Sequence, residues 1–311
     1  MSCGVCAGCE ISGLSLQTGA VTTSPMDIVR TVDELRKDVR RARSAGRNIA
    51  LVPTMGALHA GHISLIEAAK KTGAFVVVSI YVNPTQFGPS EDFTYYPRAF
   101  ESDCSACRGA AVDLVFAPTD AEMYPSNDQT CVRPGPLADT LCGPFRPGHF
   151  EGVCTVVAKL FNMALPDVAY FGQKDAQQAR IIQRMVEDLR FPIRIEVCPT
   201  IREADGLALS SRNERLSEVD RKQAVLLSRA LCEAKRRLQS GESSTGRIIA
   251  AMRGVIAEHA EIKVDYLSIV DPLTLAEVAV PTATVMVAGA VRVGQTRLID
   301  NMIVDIPPAR S

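Results

Sequence analysis

The chain has no tryptophan, only 5% of its residues are aromatic, and its Lys and Arg nearly cancel its Asp and Glu, leaving a formal net charge of −1. Such a balance exerts no general pull on a polyphosphate backbone or an anionic bilayer. Neither nucleic acid nor membrane is therefore expected as a partner, and a small polar substrate is the default. No stretch approaches the roughly 18 uninterrupted apolar residues of a membrane span. The first Lys or Arg is Arg30, so a basic secretory n-region and an Arg-rich transit peptide are both missing, and the cytoplasm is the expected compartment. No internal repeat is apparent.

What is there is an ordinary globular composition, 47% hydrophobic and 22% charged over 311 residues, enough for two domains. Ten cysteines are present. Cys104, Cys107, Cys131, Cys142, Cys154, Cys198 and Cys232 are scattered through periodic chain and read as small hydrophobes in a reducing compartment. Cys3, Cys6 and Cys9 sit among Gly, Ser and Thr in residues 1–24, without periodicity. That segment reads as a disordered tail; a metal site there lacks a fourth ligand.

A helix is predicted to start near Thr31, where Thr31 and Glu34 form a potential capping box, with Leu35, Val39 and Ala42 as its apolar stripe. Strand 48–53, helix 60–71 and strand 74–82 follow, the last unbrokenly apolar as in a parallel sheet covered on both faces. After the loop NPTQFGPSEDFTYYPR the alternation continues with helix 99–109, strand 112–117, helix 148–165, strand 168–171, a helix opened by FGQKDAQQ, and strand 193–197. Beyond about 201, charged helices at 218–239 and 245–259 precede strands at 264–270, 284–293 and 296–304. The expected architecture is α/β: a Rossmann-like parallel-sheet domain over 25–200 and a smaller C-terminal α+β domain over 201–311 acting as a lid.

The stretch VPTMGALHAGH, 52–62, organises this pattern. A strand runs through a Gly-containing turn into a helix start, the arrangement that seats phosphate on free backbone N–H groups and a positive dipole end. It delivers His59 and His62, three apart and facing roughly the same way. They fit zinc poorly, having no intervening Glu and no evident third ligand; they fit a buried structural pair, or donors to triphosphate oxygens. Gly61 leaves room for close approach of a nucleotide.

PTMGALHAGH resembles the His-x-Gly-His element of the nucleotidyltransferase superfamily, and in its full form that of the pantothenate synthetase family. YVNPTQFG (81–88), YPR (96–98), RPGHFEGVCTVVAKLF (146–161), FGQKDAQQ (171–178) and READGLALSSRN (202–213) follow in that family's order. The resemblance implies ATP-dependent joining of pantoate and β-alanine through a pantoyl adenylate, with Mg²⁺, in an enzyme that is commonly a homodimer. It further implies a catalytic set of His59, His62, Lys174, Ser210, Ser211 and Arg212. ATP would lie on these together with Pro53, Met55, Gly172, Asp175, Ile201 and Leu209, and pantoate on Gln86, Gln178, Met55, Asn83, Arg146 and His149. Tyr96 would be part of a gate and Asp103 the metal-side carboxylate.

Other readings stand beside these. Lys174 and Asp175 as an isolated pair would be a surface ion pair, Ser210 a helix N-cap, Tyr96 plain packing, and Arg146 or His149 a tie for its own loop. Gln173, Ala176 and Leu209 stand where the family usually has Glu, an aromatic and Met. The last change conserves volume, whereas Ala176 removes a ring beside the proposed pantoate site. Transfer of a nucleotide to a phosphate-bearing acceptor would want a further basic cluster, while the loops offer Asn83, Gln86 and Gln178. An inactive nucleotide-binding regulator would not need the full catalytic set.

Overall fold

The computed structural model describes residues 26–89, 91, 93–257 and 261–307; the cysteine-bearing tail lies outside them. The chain enters the fold as a three-residue strand, β1 (Asp27–Val29), which the sequence reading missed because so short a run carries no period. Helix α1 (Val32–Ser44) starts at the expected capping box, the Thr31 side chain accepting from the Glu34 backbone N–H while Glu34 reaches back. Then come β2 (Ile49–Thr54), α2 (Ala60–Lys70), β3 (Phe75–Ile80), α3 (Phe100–Gly109), β4 (Leu114–Phe116) and the one-turn α4 (Asp120–Met123). Helix α5 (His149–Ala164), β5 (Val168–Gly172), α6 (Ala176–Leu189) and β6 (Arg194–Cys198) complete the first unit.

Its six strands are all parallel, in the order β1-β4-β3-β2-β5-β6. Successive residues of β2 serve opposite layers: Ile49 and Leu51 pack with α1, α5 and α6, and Ala50 and Val52 with α2 and α3. Burial on both faces is the reason these strands lack a polar alternation. Strand order reverses at β2: the chain builds outward through β3 and β4, then returns to place β5 on the other side. The crevice beyond the carboxyl ends of β2 and β5 is thus the switch point where open α/β sheets bind ligands.

The second unit has α7 (Glu218–Gln239), α8 (Thr245–Ile256) and an antiparallel sheet of β7 (Lys263–Val270), β8 (Val285–Val293) and β9 (Thr296–Val304). Leu227, Leu231, Ile248 and Met252 cover one face of that sheet. A smaller cluster, in which Met286 and Ala288 meet Leu137, Leu141 and Ala176, joins the other face to the first unit. No helix among the described residues is long and apolar enough to cross a membrane.

Candidate active site

The turn after β2 is shaped by hydrogen bonds within the protein. Thr54 Oγ1 donates to the Ser79 carbonyl and accepts from Gly56 N–H. Gly56 and Ala57 then take left-handed backbone angles, φ +80° and +51°. A Cβ at position 56 would lie 2.8 Å from Asp103 Oδ2, so glycine is demanded there on two grounds. The Asp103 carboxylate, buried at the start of α3, accepts from Ala57 N–H at 3.0 Å and Leu58 N–H at 2.7 Å.

Helix α2 begins at His59 with two imidazoles in place of the usual capping side chains. Gly61 N–H donates to His59 Nδ1 at 3.1 Å, and His59 N–H donates to His62 Nδ1 at 3.3 Å. A neutral imidazole that accepts at Nδ1 carries its proton on Nε2. Both rings therefore hold Nε2–H available, with centroids 4.2 Å apart. Burial and the Lys174 cation push His59 down to about 4; burial and the neighbouring His59 push His62 down to about 3. Both are neutral donors at ordinary pH. The glycine between them serves the ring as well as any ligand, since a Cβ at 61 would lie 2.8 Å from His59 Cε1.

These side chains open on a cavity of about 220 Å³ at the switch point. Every residue nominated from sequence lines it except Asp103. Pro53 and Met55 come from the end of β2, and Gly172, Lys174 and Asp175 from the turn after β5. Ile201, Leu209, Ser210, Ser211 and Arg212 come from the segment after β6, and Gln178 from α6. Lys174 Nζ lies 3.5 Å from Asp175 Oδ1. Burial opposes ionisation of Asp175, but Lys174 and Arg212 outweigh it and hold the carboxyl below the usual carboxylate range.

Several of the nominated side chains have partners within the protein. Asp103, expected as the metal-side carboxylate, does not line this cavity; its two oxygens accept from the turn it braces. Asn83 spends its amide inside the protein: Nδ2 donates to Gln86 Oε1 and to the Gly152 carbonyl, and Oδ1 accepts from Tyr124 and Thr85 hydroxyls. Arg146 makes a two-pronged ion pair with Glu91 and donates from Nη1 to His149 Nε2 at 2.8 Å. His149 therefore carries its proton on Nδ1 and donates it to the Gln86 carbonyl. Burial and the Arg146 cation push it down to about 4. Asn83, Arg146 and His149 thus shape the wall around Gln86, whose Nε2 lies 2.9 Å from Met55 Sδ.

Tyr96 is buried, its ring meeting Phe87 edge-on and its hydroxyl 3.4 Å from Ser211 Oγ. Ser210 does cap a short 3-10 turn, Ser211–Arg215, accepting from Arg212 N–H; capping and lining the cavity are compatible. Among the described residues no three His, Cys, Asp or Glu side chains converge to hold a metal. Five of the seven described cysteines are buried, while Cys131 and Cys232 are exposed.

The sequence reading missed the greasy wall that α5 turns to the cavity through Val153, Val156, Val157 and Leu160, and it missed Thr200. The wall was visible as helical periodicity without an address. The Thr200 hydroxyl, buried and without a hydrogen-bond partner among the described residues, had no signal at all.

Residues 27–303 match the family model for pantoate-beta-alanine ligase. The chain belongs to the pantoate–β-alanine ligase family. It is 50% identical over 281 residues to a pantothenate synthetase of Moorella thermoacetica, covering 90% of this chain and 99% of the relative. A pantothenate synthetase of Acetivibrio thermocellus is 47% identical over 281 residues, covering 90% and 100%. Among solved structures, the pantothenate synthetase of Thermus thermophilus superposes with a TM-score of 0.85 at 45% identity, covering 89% of this chain and 99% of the other. The Francisella tularensis pantoate-beta-alanine ligase, solved with beta-gamma ATP and beta-alanine, gives 0.73 at 33% identity, covering 90% and 98%. Membership makes the chain a ligase, and the Thermus thermophilus structure shares its two-unit fold, a six-stranded parallel sheet with a small antiparallel one.

Proposed function

We propose that this ligase joins pantoate to β-alanine in two half-reactions within the one cavity. A pantoate carboxylate oxygen attacks the α-phosphorus of ATP, pyrophosphate leaves, and pantoyl adenylate stays bound. The β-alanine amine then attacks the acyl carbon, AMP departs with the carboxylate oxygen that had bridged to phosphorus, and pantothenate remains. The observation that carries this reading is the pair of Nε2–H donors on His59 and His62, fixed by backbone and sharing a cavity with Lys174. Donors placed in advance, in a site poor in water, stabilise the charge that grows on phosphate oxygens as the bond to pyrophosphate breaks.

Neutral imidazoles suit that task, since they donate without offering the nucleophile a competing cation. Gln86 and Gln178, also neutral, suit the pantoate carboxylate and hydroxyl for the same reason. Gly172 has an ordinary φ of −87°, and a Cβ there would meet nothing within 4 Å. Neither backbone nor packing asks for glycine, which leaves close approach of a ribose as its use, with Asp175 beside it as acceptor. Ser210, Ser211 and Arg212 face the β- and γ-phosphates, Pro53, Met55, Ile201 and Leu209 the base, and Tyr96 the entrance, with the C-terminal unit as the closing lid.

Mg²⁺ fits as the counter-ion of the triphosphate: Asp175 is the one carboxylate among the cavity's described lining, and a magnesium ion needs few protein oxygens when phosphates supply the rest. It would spread the charge of the leaving pyrophosphate. A cytoplasmic homodimer completes the reading and rests on the family resemblance.

The deciding experiment incubates the protein with ATP, Mg²⁺, pantoate and β-alanine. AMP should accumulate only when both organic substrates are present, while ATP and pantoate alone should support exchange of labelled pyrophosphate into ATP. AMP formation indifferent to pantoate or β-alanine would sink the reading.

A further inference from the structure

Lys174 stands on a single 3-10 turn, Gln173–Asp175, wedged between β5 and α6. One turn cannot hold itself, because it fixes several dihedrals for very few hydrogen bonds. Its carbonyls are instead satisfied from the other unit of the molecule. Asn301, buried on β9, donates from Nδ2 to the Gln173 carbonyl at 2.9 Å and to the Lys174 carbonyl at 3.0 Å. Its Oδ1 accepts from Gln173 Nε2 at 2.9 Å. With both N–H donors facing carbonyl oxygens, the orientation of the amide is determined.

The residue before it holds the opposite side of the site. Asp300, also buried, takes a two-pronged ion pair from Arg202, with Nη1–Oδ2 2.6 Å and Nη2–Oδ1 2.9 Å. Arg202 also donates to the Gly206 carbonyl and to the Asn301 carbonyl. Arg202 pairs across a narrow hairpin with Ala208, and Leu209 to Arg212 follow directly. Two adjacent residues of one strand thus grip both segments that bring cations and hydroxyls to the cavity: the Lys174 turn and the Ser210–Arg212 segment.

We propose that Asn301 and Asp300 are positioning residues for the phosphate end of the site, holding the Lys174 turn and the Ser210–Arg212 segment at one fixed spacing. The proposal rests on the two-step reading above and goes beyond it: the C-terminal unit contributes to catalysis through a strand that touches no substrate. Since a misplacement of about 1 Å can cost on the order of 10²-fold in rate, releasing the turn should slow the step that uses Lys174 and spare the step that does not.

The test compares Asn301→Asp, Asn301→Ala, Asp300→Asn and Gln173→Ala with wild type in the two half-reactions measured separately: pyrophosphate–ATP exchange with pantoate, and attack of β-alanine on supplied pantoyl adenylate. Asn301→Asp puts an anionic oxygen against two carbonyls at nearly unchanged volume. It should cut exchange by about 10- to 100-fold and leave the second half-reaction within about threefold. Asn301→Ala should do the same to a smaller degree and serves if the aspartate variant does not fold. Asp300→Asn should raise the KM for ATP. Gln173→Ala, which leaves both carbonyl bonds in place, should stay near wild type. A loss shared equally by the two half-reactions, as a smaller folded fraction gives, overturns the proposal, as does no loss at all. Wild type active in neither half counts against the two-step reading; ATP binding by the same variants then decides the positioning role, an unchanged Kd overturning it.

Discussion

The two sides of the cavity are held in different ways. The histidine side is nearly self-sufficient: bonds among Thr54, Gly56, His59, Gly61 and His62 lie within nine residues, with Ser79 and Asp103 as its partners from farther along the chain. The lysine side has almost no local support and is gripped by β9, more than a hundred residues downstream. A self-bonded corner keeps its geometry as long as the sheet stands. A corner held by another unit can be switched by whatever moves that unit. In the proposed reaction the self-bonded half would supply the His59 and His62 donors, and the borrowed half the Lys174 cation.

The largest expected effect removes one donor from either side. His59→Ala and Lys174→Ala should each lower pyrophosphate–ATP exchange by about 10²-fold or more while circular dichroism stays native. If Lys174→Ala keeps turnover within a few-fold, the two sides are not partners in one clamp. Next comes the carboxylate brace of the histidine side. Asp103→Asn turns one acceptor into a donor facing an N–H, which should destabilise urea unfolding by about 1–3 kcal/mol and lower kcat without changing the magnesium dependence of KM. A changed magnesium dependence with an unchanged kcat would return Asp103 to the metal.

A smaller effect follows from protonation. The folded imidazoles of His59 and His62 sit at about 4 and about 3, against an ordinary value of 6.5. The unfolded chain therefore binds protons that the native one refuses. Their contribution to stability is complete above about pH 6.5 and is lost as the pH falls through the window toward 4 and 3. Imidazole resonances followed by NMR should show no titration of either ring near pH 6.5; a midpoint there would mean the rings are solvated. The smallest effect expected is none: deleting residues 1–24 should leave both half-reactions unchanged, and loss of activity together with a bound metal would give the cysteines of that segment a role.

The sequence reading was strongest where bonding is local. The Thr31 and Glu34 box, the strand-turn-helix around His59 and the apolar runs of β2 and β3 all announce themselves within a few residues of chain. It was weakest where a side chain's partner is distant. Asn83, Arg146 and His149 line the cavity, but their bonds to Tyr124, Glu91 and Gln86 could not be read from the chain. Nothing near Asp103 in the chain shows the two N–H groups from which it accepts. β1 was invisible because three residues show no period, and its pairing with β4 is a tertiary event.

By itself, then, the sequence determined the types of the longer elements, the parallel layer with two covered faces, the strand-turn-helix around His59 and, through its motifs, the family. Those features rest on short-range sterics, hydrophobic period and backbone capping, which are written in adjacent residues. Tertiary structure alone decided that strand order reverses at β2, so that the turns after β2 and β5 share one crevice. It also decided which distant partners the nominated polar groups meet, and that on the ninth strand Asn301 holds the lysine turn while Asp300 holds Arg202. The reason is that the partners of a hydrogen-bonding group are settled only when the chain has brought distant residues together.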